Sequence, residues 1–264
     1  MKIIEKKSDI RRIPLHIEGF DEQLGGGVPE GHVCLMAGKS GTMKSSVSFN
    51  CLYHEVAGGK NALYLSLEQS SASLLNHMIG MDFDLSEINV VILSDIGKLE
   101  KCIEAVNSTK GSLILTDVAA IRKQMGDIKS IGPQADWLNA IKNIVTKLSN
   151  GNACNLFVLD SLSAMYALSS IKNPRAELFY VFEFLRDLGL TSFLITEMFG
   201  EQFGEFGVED YLSDGIIKFA MVRDGRKVRR EVNVVKMRAS DTNNDVFILD
   251  YKNKTFRALT KLPY

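Results

Sequence analysis

The chain has 264 residues and is 45% hydrophobic, enough to bury a full core as one large domain. With 31 Lys and Arg against 32 Asp and Glu, it has no global cationic field to draw nucleic acid or an anionic membrane, so any such partner has to be held locally. The longest apolar runs, such as LFVL and VVIL, fall far short of the roughly 20 residues of a spanning helix. The opening MKIIEKKSDIRRIPLHIEGF mixes acids with bases, so no membrane span or secretory signal is expected and the expected location is cytoplasmic.

In chain order, HVCLMAG (32–38) is a short apolar strand ending at a glycine-containing loop, and SSVSFNCLYHEVAGG follows with helical spacing of Val47, Cys51, Leu52 and Val56 before Gly58 and Gly59. Further buried strands are predicted at NALYLSLE (61–68), NVVILSD (89–95), SLILTD (112–117), NLFVLDS (155–161) and TSFLITE (191–197). Helices are predicted between them, at 97–107, 134–149 and 174–188. Near-continuous apolar strands joined by helical crossovers predict an α/β fold, a mainly parallel sheet covered on both faces. After Tyr211 the pattern changes. GIIKFAMV, the dipeptide Asp224-Gly225 and KVRREVNVVKM predict a hairpin, and VFILDY and TFRAL around KNK predict another, so the C-terminal quarter extends the sheet with antiparallel strands. Cys34, Cys51, Cys102 and Cys154 show no C-x-x-C pairing and sit among apolar residues, as reduced core thiols do. His16, His32, His54 and His77 make no metal-ligand spacing.

The loop reads GKSGTMKSS, residues 38 to 46. It has the fixed letters of the phosphate-binding pattern G-x-x-x-x-G-K-[ST] except that Met43 stands at the second glycine. In such a loop successive amides surround phosphate oxygens, here those of Ser40, Gly41, Thr42, Met43, Lys44, Ser45 and Ser46, and the following helix adds its positive end. Lys44 then pairs with the terminal phosphates and the Ser45 hydroxyl binds Mg²⁺. Met43 costs energy where φ has to be positive, yet it keeps the N–H donor. Glu68 falls at the C-terminal end of the next strand, where α/β sheets collect ligands, and there a carboxylate positions and deprotonates an attacking water. The alternative is an N-cap region built from Glu68 with Ser70 or Ser71. Asp160 ends NLFVLDS and suits a Mg²⁺ contact beside Ser45, although many buried strands end in Asp.

These pieces resemble the KaiC-like branch of the RecA superfamily of P-loop ATPases, carried by IEGFDEQLGGGVPEGHVCLMAG, YLSLEQS, FVLDSLSAMYAL, LITE, YLSDGIIKF and VNVVKMRAS. The resemblance implies residues 17–264 as a single RecA-like ATPase domain behind a short segment, 1–16. It implies ATP and Mg²⁺ as ligands, Lys44 and Ser45 on phosphate and metal, Glu68 as catalytic carboxylate and Asp160 as the Walker B acid. Glu197 in LITE then senses the nucleotide, or only caps a strand. Gln69 replaces the second of the family's paired glutamates, which with Met43 bears on hydrolysis more than on binding.

Strand alternation alone projects Lys236 and Arg238 to one face and Met237 to the other, as on any solvated edge strand. By resemblance, the two cations reach the γ-phosphate of an adjacent subunit, so a head-to-tail ring, a hexamer, is expected. Nucleic acid is not the expected partner. The loop MFGEQFGEFGVEDYL supplies Phe199, Phe203 and Phe206, but its charges are Glu201, Glu205, Glu209 and Asp210. The basic cluster Arg223, Arg226, Lys227, Arg229 and Arg230 surrounds a hairpin turn, either solvated or facing an acidic partner. Three readings stand: a regulatory ATPase with an unidentified protein partner, a nucleotide-responsive scaffold with little hydrolysis, and a recombinase paralogue acting in DNA repair.

Overall fold

The computed structural model describes residues 9–124, 137–169 and 171–260. Three two-residue strands come first: β1 (Arg12–Ile13), β2 (Ile17–Glu18) and β3 (Val28–Pro29). An alternating series follows: β4 (Val33–Gly38), α1 (Lys44–Ala57), β5 (Asn61–Ser66), α2 (Ser71–Gly80), β6 (Val90–Ile92), α3 (Leu99–Asn107), β7 (Ser112–Asp117) and α4 (Val118–Gln124). It continues through α5 (Trp137–Asn150), β8 (Leu156–Asp160), α6 (Leu162–Leu168), α7 (Pro174–Asp187) and β9 (Thr191–Thr196). A small hairpin of β10 (Met198–Phe199) and β11 (Gln202–Phe203) and the single turn α8 (Glu209–Leu212) lead to β12 (Gly215–Asp224), β13 (Lys227–Met237), β14 (Phe247–Lys252) and β15 (Thr255–Thr260).

Eleven strands form one sheet in the order β2-β15-β14-β13-β12-β4-β9-β8-β5-β7-β6. From β12 to β6 all neighbours are parallel. Strands β13, β14 and β15 add on antiparallel. The predicted mainly parallel sheet with antiparallel C-terminal hairpins is therefore present. The central strands β4, β8 and β9 are buried along their whole length, which is why they read as unbroken apolar runs rather than as alternation. Side chains divide between two cores. One, on the α1 side, holds Phe20, Phe49, Tyr64, Phe219 and Phe256. The other, beneath α5 and α7, holds Trp137, Phe157 and Phe182. Ile13 and Leu15, ahead of position 17, are already buried in the first. All four cysteines are free and buried.

The predicted helix 97–107 begins as a 3-10 turn at Ile96–Lys98 and becomes α3 at Leu99. The first three positions of the predicted helix 134–149 lie outside the described residues, and α5 runs from Trp137 to Asn150. The β12–β13 turn is one residue later than Asp224-Gly225: β12 keeps Asp224, and Gly225, with φ 58°, takes the first turn position. Asn253 and Lys254 close the last hairpin, both at positive φ (52° and 64°), as a type I′ turn requires. Between Ile216 and Ile217 the β12–β13 register shifts, so Ile217 faces Val234 while Ile216 faces Lys236, leaving Val235 as an extra residue.

Candidate nucleotide site

The loop between β4 and α1 lies at the C-terminal edge of the parallel sheet, where Gly38 pairs with Phe219 of β12. Gly38 has to be glycine, because a Cβ there would come within 2.3 Å of the Phe219 carbonyl oxygen. The displaced glycine of the motif has a specific outcome. Met43 adopts φ 74° and ψ 21°, the left-handed conformation that the missing glycine would take, and its side chain packs against the α1-side core. Gly41 is left-handed as well, with φ 79°. Such alternation turns consecutive amides toward one point and makes an anion nest. The first helical bond of α1 runs from the Val47 N–H to the Met43 carbonyl, so the amides of Lys44, Ser45 and Ser46 precede it and complete a phosphate cradle at the positive helix end.

Lys44 is only 6% exposed. Its ammonium donates to the carbonyls of Gly38 (2.7 Å) and Lys39 (3.0 Å) and pairs with the Glu197 carboxylate at 3.0 Å. Glu197 therefore sits against the P-loop lysine, and its backbone N–H donates to Ser163 Oγ at 3.3 Å. Thr42 Oγ1 closes the loop by donating to the Lys39 carbonyl at 2.7 Å. The cleft above holds about 480 Å³ and is lined by all seven loop residues from Ser40 to Ser46, together with Glu68, Asp160 and Glu197.

Asp160 is buried at the end of β8 and accepts a 2.5 Å hydrogen bond from the Tyr64 hydroxyl and another from Ser45. Burial lifts the Asp160 carboxyl above its ordinary value, more than the bonds from Tyr64 and Ser45 lower it. Burial and the neighbouring Asp160 charge likewise push the Tyr64 hydroxyl far up. A hydroxyl and a carboxylate facing each other, with the carboxylate short of positive charge, is a hard-oxygen donor set that suits Mg²⁺. Glu68 is not consumed by helix capping. Ser70 caps α2 through Ser73 N (3.2 Å), while the exposed Glu68 carboxylate accepts a short hydrogen bond from the Ser161 hydroxyl. The cleft thus has an anchored carboxylate at its mouth.

Lys236 and Arg238 are not brought to this cleft within the chain. Lys236 sits opposite Ile216, which faces Leu35, toward the beginning of β4. There the Lys236 ammonium donates to the Asp210 carbonyl, and Arg238 donates to the Tyr211 carbonyl (3.3 Å) and to Asp214 (2.8 Å). Both cations gather on the α8 side while Met237 is buried in the α1-side core, as alternation requires. Burial and the adjacent Arg238 charge lower the Lys236 pKa. Asp214 also accepts from Arg186 (3.0 Å) and the Val33 amide (3.0 Å). Burial opposes its ionisation, but Arg186, the Val33 amide and Arg238 outweigh that and hold the carboxyl below its ordinary value.

Other residues enter the site without a sequence signal of their own. Tyr64 reads as core inside an apolar strand. Arg230, part of the basic cluster, folds back so that its Nε donates to the Gly41 carbonyl at 3.1 Å, and His77 of α2 lines the cleft beside Ser46. In the loop read as uniformly acidic, Glu209 is fully buried and accepts from the amides of Phe206 and Val208 and from Tyr166, so it is an internal clasp rather than a surface charge.

A family profile described as "ATPase: KaiC" matches residues 13–260. The circadian clock protein KaiC3 of Synechocystis is 26% identical over 257 residues, covering 96% of this chain and 46% of that protein. The clock oscillator protein KaiC of Rippkaea orientalis is 26% identical over 236 residues, covering 88% and 40%. This chain therefore spans less than half the length of these relatives. Among solved structures, a KaiC-like protein of the hyperthermophilic archaeon Pyrococcus horikoshii OT3 superposes with a TM-score of 0.72 at 20% identity, covering 95% of this chain and all of that one, a likeness of fold. The P-loop, the acids at the strand ends and the profile match over nearly the whole chain agree: the chain belongs to the KaiC ATPase family.

Proposed function

We propose that the chain binds Mg·ATP in the P-loop cleft and hydrolyses it slowly, as a regulatory ATPase assembled head to tail in a ring, with six subunits as the expected number. The observation that carries this reading is the left-handed Met43, which keeps the anion nest open although the glycine is gone. The loop amides bind the phosphates and Lys44 exchanges its carbonyl and Glu197 partners for phosphate oxygens. Ser45 and Asp160 would hold Mg²⁺, which when bound neutralises charge on the terminal phosphates. Glu68, oriented by the Ser161 hydroxyl, positions the attacking water and takes its proton. Lys236 and Arg238 lie toward the other end of β4 from their own loop. They serve a γ-phosphate across a subunit contact, and a head-to-tail contact that repeats closes into a ring. The clock-protein names of the relatives support a regulatory role. Among the described residues no helix is long and apolar enough to cross a membrane.

The second reading, a nucleotide-responsive scaffold, is favoured by Gln69, which lines the cleft where the family carries a second glutamate. Phosphate release by the parent and by Glu68→Gln separates the two. A fall of about 100-fold with nucleotide binding retained supports the ATPase, and equal release leaves the scaffold. Particle size measured with and without Mg·ATP tests the ring, and a monomer under both conditions would remove the role given to Lys236 and Arg238.

A further inference from the structure

The P-loop face of α2 carries a residue that the reaction above does not use. Ser70 caps this helix, its first residue is tied to Asp117 through the Ser71 amide (2.9 Å) and hydroxyl (3.0 Å), and Leu74 and Met78 are buried in the core. That fixes the helical phase. His77 and Met81, one turn apart, both line the cleft. The His77 Nε2 lies 3.4 Å from the Ser46 hydroxyl, and Ser46 is the last of the α1 residues whose amides precede the first helical bond. An anion seated on those amides has the imidazole beside it.

We propose that His77 is a further nucleotide-binding residue, placed to donate a hydrogen bond to the phosphate held at the Ser46 amide. The inference rests on the reading of the cleft as a nucleotide site. The charged groups that share the cleft with His77 are Lys44 of α1, Glu68 after β5, Asp160 of β8, Glu197 after β9 and Arg230 of β13. Three carboxylates face two fixed cations, so an imidazole N–H adds a donor next to the phosphates.

The test is the affinity of Mg·ADP for the full chain, measured by calorimetry at one neutral pH for the parent, His77→Ala and His77→Lys. For His77→Ala against the parent, the dissociation constant is expected to rise about fivefold. His77→Lys, which restores a donor, should keep the parent's affinity. Equal constants for all three overturn the role of His77 and leave the nucleotide site standing. No binding by any of the three overturns the site and this inference with it.

Discussion

The two ends of β4 treat charge in opposite ways. At its C-terminal end Lys44, Glu68, Asp160, Glu197 and Arg230 surround a cleft of about 480 Å³, and the lysine is held by loop carbonyls and one carboxylate that a phosphate can replace. At its N-terminal end the Asp214 carboxylate is fixed by Arg186 and the Val33 amide, and Arg238, its third and largely exposed donor, is the one partner that can leave. The first set can give way to a ligand, while Arg186, Asp214 and the Val33 amide belong to the fold. Charged side chains gathered at the two ends of one strand thus differ by whether their partners are replaceable.

The sharpest way to break this contrast is Lys44→Ala. Turnover and nucleotide affinity should fall by about 100-fold or more, while the melting temperature stays near the parent's because Glu197 is a third exposed and stays hydrated. A large loss of stability instead would mean that Lys44 is a structural cation. Arg186→Ala should do the reverse. It strips the main partner from a buried carboxylate, costing about 2 kcal/mol and lowering Tm by roughly 4–8 °C, with affinity for Mg·ADP at the chain's own cleft unchanged.

Acid sharpens the same comparison. The Asp214 pKa is lowered in the fold, so its ionisation stabilises the protein above the unfolded carboxyl value of about 3.9. That contribution is lost as pH falls through the lowered native value. Denaturant midpoints measured down to pH 3 should decline for the parent and flatten for Arg186→Ala. The smallest expected effect is at the P-loop itself. Met43→Gly should be more stable than Met43→Ala by about 1 kcal/mol, because only glycine occupies the left-handed region without penalty. Equal stabilities would show that the loop relaxes once the thioether is removed.

The parallel strands were legible because burial on both faces writes them as unbroken apolar runs, and the phosphate loop because its letters are nearly fixed. Glu68 and Asp160 followed from position, at the ends of strands that a crossover fold aligns. The helices α2 and α6 were harder, since each opens on serines that read equally as loop. Tyr64 was hidden because a tyrosine inside an apolar strand looks like packing until its hydroxyl is seen on Asp160. Arg230 and His77 reach the cleft through the register of a hairpin and the phase of a helix, neither of which sequence spacing determines. Glu209 misled for the same reason, because its charge is spent on amides three and one residues before it.

The extra residue in β13 carries a consequence of its own. Val232 and Val234 point into the α1-side core, and without the bulge Lys236 would follow them there. The bulge absorbs Val235 outside the alternation, so that Met237 goes inward and Lys236 comes out beside Asp210. The side of the sheet on which the cations emerge therefore rests on the kink that absorbs one residue: straightening it with Val235 kept in the ladder would turn Lys236 inward and leave Met237 on the rim.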